Sequence, residues 1–134
     1  KNLGLQSNYT IIANNAFDAF NKSDVAIVAS GTATLECAIS KTPFVVIYKT
    51  SLLSWMLTSW LVKVRFASIV NILANKLIAP EFLQKRCLPP LIANTIVDLI
   101  NSDNQQFETE VEKLVCNLGE GNAYNKTGNY ILNN

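Results

Sequence analysis

Apolar runs alternate along the chain with segments of helical period. Two runs are continuous and bounded by polar residues, at residues 25–29 and 44–48, and this pattern is typical of fully buried parallel strands. A helix is predicted between them at residues 32–40, and it ends before Pro43 because proline disfavours helix in the residue before it. The order strand, helix, strand predicts a βαβ unit with parallel pairing and a right-handed crossover.

Segments on both sides extend this unit. Residues 9–12 predict a short strand, and residues 67–70 predict a third buried strand that leads into a polar loop at residues 71–75. Helical period and end signals predict five further helices, at residues 15–21, 52–64, 80–84, 89–101 and 105–118. The first of these should turn Phe17 and Phe20 inward. The fold class that this order predicts is α/β, a Rossmann-like parallel sheet flanked by helices.

The predicted helix at residues 52–64 is apolar around most of its circumference. It contains Trp55 and Trp60 and has Lys63 and Arg65 near its end, a pattern compatible with a helix that lies at a membrane interface. The same pattern is compatible with burial in a core or beneath a neighbouring domain. Its uncharged stretch is shorter than the about 17–25 apolar residues that a helix needs to span a bilayer.

Length and composition fit one globular domain. The chain has 134 residues, of which 49% are hydrophobic and 16% are charged, so it can fill a core of its own. We predict a domain at residues 1–118 and a tail at residues 119–134. The opening residues 1–4 (KNLG) do not resemble a natural start, and we expect the chain to be the second part of a longer protein.

Charge is unevenly distributed, although the formal net charge is only +1. Basic residues predominate at 41–86 and acidic residues at 98–120. A basic segment fits an anionic ligand or an anionic lipid surface, but scattered lysines on a solvated surface would give the same pattern. Nucleic acid is disfavoured as a partner, because the basic residues are not clustered and few aromatic residues lie among them.

The cysteines and the absence of histidine limit the available chemistry. Cys37, Cys87 and Cys116 are odd in number and far apart, which fits neither a disulfide framework nor a zinc site, so we expect free thiols in a reducing compartment. The chain has no histidine. A catalytic base would therefore be a carboxylate, or it would come from outside this chain.

The segment SGTATLE, residues 30–36, directly follows the first buried strand and opens a helix. Unpaired backbone N–H groups at such a turn can bind a phosphate or another anion. Thr32 and Glu36 share one helix face, so a diphosphate at the turn would place an attached ribose near the Glu36 carboxylate. This arrangement suggests a nucleotide or nucleotide-sugar site, although a purely structural turn has the same composition. The segment is neither a Walker loop nor a GxGxxG motif.

The predicted sheet places further polar residues near this segment. Open parallel sheets bind ligands beyond the carboxyl ends of their strands. The loops that follow the three predicted strands contain Ser30 and Thr32, Lys49, and Asn71. We therefore expect these four residues to converge on one crevice.

Several segments together resemble bacterial lipid-A-disaccharide synthase. They are ASGTATLE at residues 29–36, PFVV at 43–46, LVKV at 61–64, NILA at 71–74 and PEFLQ at 80–84. The match runs in order over about residues 23–84, and the helices beyond it are compatible with the family. The resemblance implies a two-domain glycosyltransferase of the GT-B type with a Rossmann-like fold in each half. This chain looks like the carboxyl-terminal, donor-binding half.

The resemblance also implies an activity. Such enzymes transfer diacylglucosamine from its UDP donor to diacylglucosamine 1-phosphate, with inversion at the anomeric carbon and release of UDP, in lipid A biosynthesis. No metal or other cofactor is implied, because backbone amides, a helix dipole and basic side chains would neutralise the leaving diphosphate. The implied partners are the two substrates, the missing amino-terminal half, the cytoplasmic face of the bacterial inner membrane, and a second copy of the chain that exchanges carboxyl-terminal helices.

The resemblance assigns site residues position by position. The implied donor site consists of Ser30, Gly31, Thr32, Thr34, Glu36, Asn71, Glu81 and Gln84. The first three should face the phosphates and Glu36 should reach the ribose. Asn71 should lie beside the donor as the catalytic residue, with Glu81 and Gln84 near the nucleotide.

The chain departs from the family pattern in three respects. Val70 stands where a proline is usual, and Asn75-Lys76 replaces a glycine followed by a basic residue. The acceptor-binding half is missing together with the general base, so this chain alone should bind UDP weakly and catalyse nothing. Two other classes also fit: a non-catalytic nucleotide-sugar-binding or membrane-associated interaction domain, and a structural α/β domain whose apolar helix forms a subunit interface.

Overall fold

The computed structural model describes residues 10–13, 15–50 and 65–119. Its elements follow one another as α1 (Ala16–Asn21), β1 (Ala26–Ala29), α2 (Ala33–Ile39), β2 (Phe44–Tyr48), α3 (Ile69–Ala74), β3 (Glu81–Leu83), a 3₁₀ turn (Gln84–Arg86), α4 (Pro89–Asn101) and α5 (Gln105–Leu118). The predicted helix at residues 52–64 and almost all of the predicted tail lie outside the described residues. Within the described residues, no helix has both the length and the apolar character needed to cross a membrane.

The three described strands form one parallel sheet in the order β1-β2-β3. Ala26 pairs with Phe44 at the start of β1, and Val46 pairs with Glu81 at the start of β3. The βαβ unit predicted from the sequence is therefore present, with β2 at the place where its apolar run lies. The parallel sheet with flanking helices is the Rossmann-like α/β architecture that the sequence predicted.

The core lies on one face of the sheet, beneath α2, α3 and α5. Its buried residues come from these helices, from β1 and β2, and from the segment before β3: Val28, Cys37, Ala38, Phe44, Val46, Val70, Ala79, Val111 and Leu114. On the opposite face α4 packs against β2. Val45, which points to that second face because side chains alternate along a strand, is also fully buried.

The strand at residues 25–29 is not fully buried, so that part of the prediction is wrong. Within the described sheet β1 is an edge strand, and Ile27 is 53% exposed. Val28 on the opposite side is buried in the core. A continuous apolar run thus marked a strand correctly but not its burial on both faces.

Two predictions near the amino terminus also fail. Residues 10–12 of the predicted first strand have no regular structure, and Tyr9 lies outside the described residues. The helix at 15–21 is present as α1, with the Asn15 side chain accepting the Asp18 N–H at 3.0 Å as its cap. Phe20 packs against the core, but Phe17 is 45% exposed and does not point inward.

The third strand lies elsewhere than predicted. Residues 67–70 contain the cap and first turn of α3, in which the Ser68 hydroxyl oxygen accepts the Asn71 N–H at 3.3 Å. The strand β3 is instead at Glu81–Leu83, where a helix was predicted. Its position is fixed by pairing with β2, including a 2.8 Å hydrogen bond from the Val46 N–H to the Pro80 carbonyl.

The last two helices lie where their end signals placed them. Pro89 and Pro90 occupy the first turn of α4, where a missing N–H costs nothing. Gly119 ends α5 with a φ of +76°, a conformation that glycine adopts without strain. The edge-to-face contact of Phe107 with Phe44 docks α5 on the sheet.

Candidate functional site

The carboxyl ends of the three strands lead into segments that hydrogen-bond to one another. Ser30, which follows β1, donates its backbone N–H to the Ile47 carbonyl at 3.0 Å. Gln84, which follows β3, reaches Thr50 beyond β2: with its amide turned so that both side-chain atoms are paired, it donates to the Thr50 carbonyl at 3.1 Å and accepts the Thr50 N–H at 3.3 Å. These contacts hold the ends of the strands together at one edge of the sheet.

The turn between β1 and α2 presents backbone N–H groups. In the described part of the chain no acceptor pairs with the N–H of Gly31, Thr32 or Ala33. Among the described residues, a Cβ atom placed on Gly31 would meet no heavy atom within 4 Å, so they leave the space beside the turn open. Successive N–H groups that face open space are suited to binding an anion.

The predicted site residues of α2 have different surroundings. Thr34 is buried, and its hydroxyl donates to the Gly31 carbonyl at 2.7 Å, which supports the turn from inside. Thr32 is exposed, and its hydroxyl makes no capping hydrogen bond to the helix. Glu36 is exposed one turn later and donates its N–H to the Thr32 carbonyl at 3.3 Å, which fixes the two residues on one face. Thr32 and Glu36 are therefore available to a ligand, whereas the Thr34 hydroxyl is used by the protein.

Asn71 is fully buried, with 0% of its surface exposed. Its amide nitrogen donates to the Ala79 carbonyl at 2.8 Å and to Glu81 Oε1 at 2.7 Å. Its amide oxygen accepts the N–H groups of Ile78 at 2.8 Å and Ala79 at 3.0 Å. The sequence placed Asn71 in an open loop that faces the crevice. The structure places it inside α3 instead, because its amide satisfies the backbone of the segment that leads into β3.

Glu81 is half-buried at the start of β3 and accepts three hydrogen bonds. Two come from the backbone N–H groups of Ala67 at 2.8 Å and Ser68 at 2.9 Å, just before α3, and the third comes from Asn71. A carboxylate at this place also interacts favourably with the positive end of the α3 dipole. Glu81 therefore holds the start of α3 against the start of β3.

The segment before α3 also contacts the turn after β1. The Ser30 hydroxyl donates to the Ala67 carbonyl at 2.8 Å. Since the Ser30 N–H is bonded to Ile47, both hydrogen-bond donors of Ser30 are taken up by the protein. Ser30 thus anchors the turn, and the N–H groups open to a ligand are those of the residues that follow it.

A separate groove of about 620 Å³ runs along β3 beside α4. It is lined mainly by apolar side chains, with Arg65 and Arg86 as its two basic residues. Of the predicted site residues, Glu81 alone lines it. This groove is therefore distinct from the predicted donor site at the β1–α2 turn. Lys49 lies exposed at the end of β2 and does not line it.

Comparison with known proteins identifies the family. A family model described as lipid-A-disaccharide synthetase matches residues 1–133. The chain belongs to this family.

Its relatives in the family agree with this assignment. A lipid-A-disaccharide synthase of Rickettsia prowazekii is 35% identical over 127 residues, which cover 95% of this chain and 33% of the relative. Lipid-A-disaccharide synthase 1 of Legionella pneumophila strain Lens is 41% identical over 96 residues, covering 72% of this chain and 25% of the relative. The chain spans at most about a third of the length of these curated relatives.

In this member of the lipid-A-disaccharide synthetase family, the structure brings together some of the predicted site residues. The turn from Ser30 to Thr32 and the Glu36 face of α2 are at the carboxyl end of β1, with Gln84 across the sheet edge. Asn71 and Glu81 contact each other, and the segment before α3 connects Glu81 to Ser30.

The sequence reasoning missed the segment that joins these two groups. Ala67 and Ser68 take part mainly through their backbone atoms, which carry no residue-type signal. The one available signal was Ser68 followed three residues later by Asn71, a spacing at which a helix cap bonds the backbone.

Proposed function

We propose that this chain is the donor-binding part of a glycosyltransferase that joins two acylated glucosamines in lipid A biosynthesis. The donor is UDP-diacylglucosamine and the acceptor is diacylglucosamine 1-phosphate. The acceptor hydroxyl attacks the anomeric carbon and gives its proton to a general base, the bond from that carbon to the diphosphate oxygen breaks, and UDP leaves with the electron pair. The observation that carries this proposal is the family match over residues 1–133.

The proposed donor site is the turn at Gly31–Ala33 together with the exposed face of α2. The open N–H groups of the turn would bind the diphosphate and stabilise the negative charge that grows on it as UDP departs. Glu36, on the same face as Thr32, would accept the ribose hydroxyls. Lys49 is exposed directly after β2, at the same edge of the sheet, and would add positive charge.

The other predicted donor-site residues would support this site from behind. Ser30 anchors the turn, Thr34 closes it and Gln84 ties the end of β3 to Thr50. The predicted catalytic residue, Asn71, is buried and has no hydrogen-bonding capacity left for a substrate atom. We therefore propose that Asn71 supports the donor site indirectly and does not contact the donor.

The remaining parts of the reaction require groups beyond this chain. The chain has no histidine, and we propose that the general base and the acceptor site belong to an amino-terminal half. We further propose that the enzyme works peripherally at the cytoplasmic face of the bacterial inner membrane, where both acylated substrates would reside. A second copy of the chain is a proposed partner.

A titration with UDP, followed by ¹H–¹⁵N amide chemical shifts, tests the proposal. UDP should shift the amides of Gly31, Thr32 and Ala33. Glu36→Ala should weaken the binding of UDP more than it weakens the binding of inorganic phosphate, because only UDP has a ribose. Glu108→Ala is the matched control, since Glu108 is likewise an exposed acidic residue in the first turn of a helix.

Two outcomes would count against the proposal. Absence of any shift at the turn at saturating UDP in the titration would overturn donor binding. If UDP binds but the chain joined to the amino-terminal half of a relative transfers no sugar, the non-catalytic nucleotide-sugar-binding alternative is favoured.

A further inference from the structure

The Asn71 amide is saturated with hydrogen bonds inside the protein. A side-chain amide has two N–H donors and an oxygen with two lone pairs, and all four capacities of Asn71 are used within 3.0 Å. A ligand atom could bond to this amide only if one of these buried contacts broke. Such a break would deprive either a backbone group or the Glu81 carboxylate of its partner, which is costly.

Glu81 connects Asn71 to the segment before α3 through hydrogen bonds. Its Oε1 accepts both the Asn71 amide and the Ser68 N–H, and its Oε2 accepts the Ala67 N–H. The carboxylate thus fixes two successive peptide groups relative to Asn71.

One of these peptide groups is also held from the other side. The peptide between Ala67 and Ser68 donates its N–H to Glu81 at 2.9 Å, while its carbonyl accepts the Ser30 hydroxyl at 2.8 Å. Ser30 is the first residue of the β1–α2 turn. An unbroken series of hydrogen bonds therefore runs from Asn71 through Glu81 and this peptide to the turn.

We propose that Asn71 and Glu81 are positioning residues for the donor site: they set the position of the Ser30 turn through the Ala67–Ser68 peptide, and neither side chain contacts the donor. This inference rests on the proposed function for its consequence, which is donor affinity. The position of the turn itself can be tested without any ligand.

The first measurement uses the ligand-free chain. Asn71→Asp replaces the amide donor with an oxygen that repels Glu81. Glu81→Gln has only one side-chain oxygen, so its NH2 group faces the N–H of either Ala67 or Ser68, and that N–H loses its acceptor. Each variant should shift the amides of Ser30, Gly31 and Thr32. The core amides of Val111 and Leu114 should keep their positions, which a general loss of stability would not predict.

Matched controls make the same chemical changes on exposed helix positions. Asn117→Asp and Glu108→Gln, both at exposed positions on α5, make the same two changes of charge outside the network. Neither control should shift the amides of the turn. Ser30→Ala removes only the last link, so it should shift the amides of Gly31 and Thr32 while the Asn71 side-chain amide stays in place.

The second measurement is UDP affinity in the same variants. Asn71→Asp and Glu81→Gln should each lower the UDP affinity about tenfold, which corresponds to about 1.4 kcal/mol. The UDP affinity of the controls should stay within about twofold of that of the parent chain. The double variant should lose no more UDP affinity than the single variant that binds UDP less tightly. The introduced carboxylate can accept an N–H from the introduced amide, and the effects of two substitutions in one hydrogen-bond network are not additive. Independent ligand contacts would instead multiply the two losses.

The outcomes separate the two proposals. If UDP shifts no amide of the turn in the parent chain, the proposed function fails, and the ligand-free shifts still decide the positioning role. The positioning role is overturned if both variants leave the ligand-free turn unchanged. It is also overturned if UDP shifts the Asn71 side-chain amide as strongly as it shifts Gly31, or if the two losses multiply.

Discussion

Phe44 and Phe107 meet edge to face, with ring centroids 6.0 Å apart and ring planes at 84°. Phe44 is the first residue of β2, and Phe107 lies in the first turn of α5. This contact joins the centre of the sheet to the last described helix. Because Phe44 is 1% exposed, its ring also fills the core beneath α2 and α3.

Phe44→Ala should therefore lower the free energy of unfolding by about 3–5 kcal/mol, the usual cost of removing a buried phenylalanine ring. Phe107→Leu keeps an apolar side chain but loses the aromatic pair, so its loss should be about 1 kcal/mol. Urea unfolding measures both. Phe17→Ala is the control, since Phe17 is 45% exposed, and it should change stability by less than about 0.5 kcal/mol. An equal loss in all three variants would contradict the assignment of the core.

Ser68→Ala should destabilise the protein by about 1 kcal/mol, because it removes the cap of α3 from a buried position. Ser102→Ala is a suitable comparison, since the Ser102 hydroxyl is exposed. Urea unfolding of the two variants should show the larger loss for Ser68. A loss confined to Ser102 would mean that the α3 cap does not form.

Thr34→Val should leave donor binding nearly intact, although Thr34 belongs to the predicted donor site. Its buried hydroxyl donates to the Gly31 carbonyl, which also accepts the Thr34 N–H at 3.2 Å and so stays paired in the variant. We expect a stability loss of about 1 kcal/mol and a change in UDP affinity of less than about threefold. Calorimetric titration measures the affinity. A loss of binding comparable to that of Glu36→Ala would show that the hydroxyl reaches the ligand.

The three thiols should react in the order of their exposure. Cys37 is fully buried and burial raises its pKa to about 12, whereas Cys116 is exposed. Iodoacetamide at mildly alkaline pH should label Cys116 first, Cys87 more slowly, and Cys37 only after unfolding. Mass spectrometry of peptides identifies the order. Rapid labelling of Cys37 in the folded chain would contradict its burial.

The raised pKa of Cys37 also gives stability a dependence on alkaline pH. Above the ordinary pKa of 9.0 the unfolded chain loses the Cys37 proton, whereas the folded chain keeps it until about pH 12. The contribution of this thiol to stability is therefore complete below pH 9 and falls as the pH rises towards 12. Cys37→Ala should flatten this part of the urea-midpoint profile, while Cys116→Ala should leave it unchanged.

The elements predicted correctly carried complete local signals. The run at Phe44–Tyr48 is continuously apolar, and α4 and α5 have their proline and glycine end signals in place. The prediction of β3 failed because Glu81–Leu83 is too short to show a period. Its strand conformation comes from its pairing with β2, which is a property of the whole fold.

The prediction of α3 failed for a related reason. Its apolar residues include Ile69 and Val70, which favour strands by intrinsic preference. The helix is fixed by the Ser68 cap and by Glu81, whose carboxylate bonds to Ser68 across 13 residues of sequence. The strand, the turn and the helix around the β1–α2 motif could be predicted from the local sequence. The burial of Asn71 could not, because it depends on backbone partners elsewhere in the chain.

The exposed flank of β1 has a consequence for handling the chain. Within the described residues no strand pairs with its outer side, and Ile27 beside it is largely in solvent. An unpaired edge with an apolar side chain is a template on which another extended segment can add. In concentrated samples we therefore expect this edge of the described sheet to be the place where an extended segment of another molecule adds.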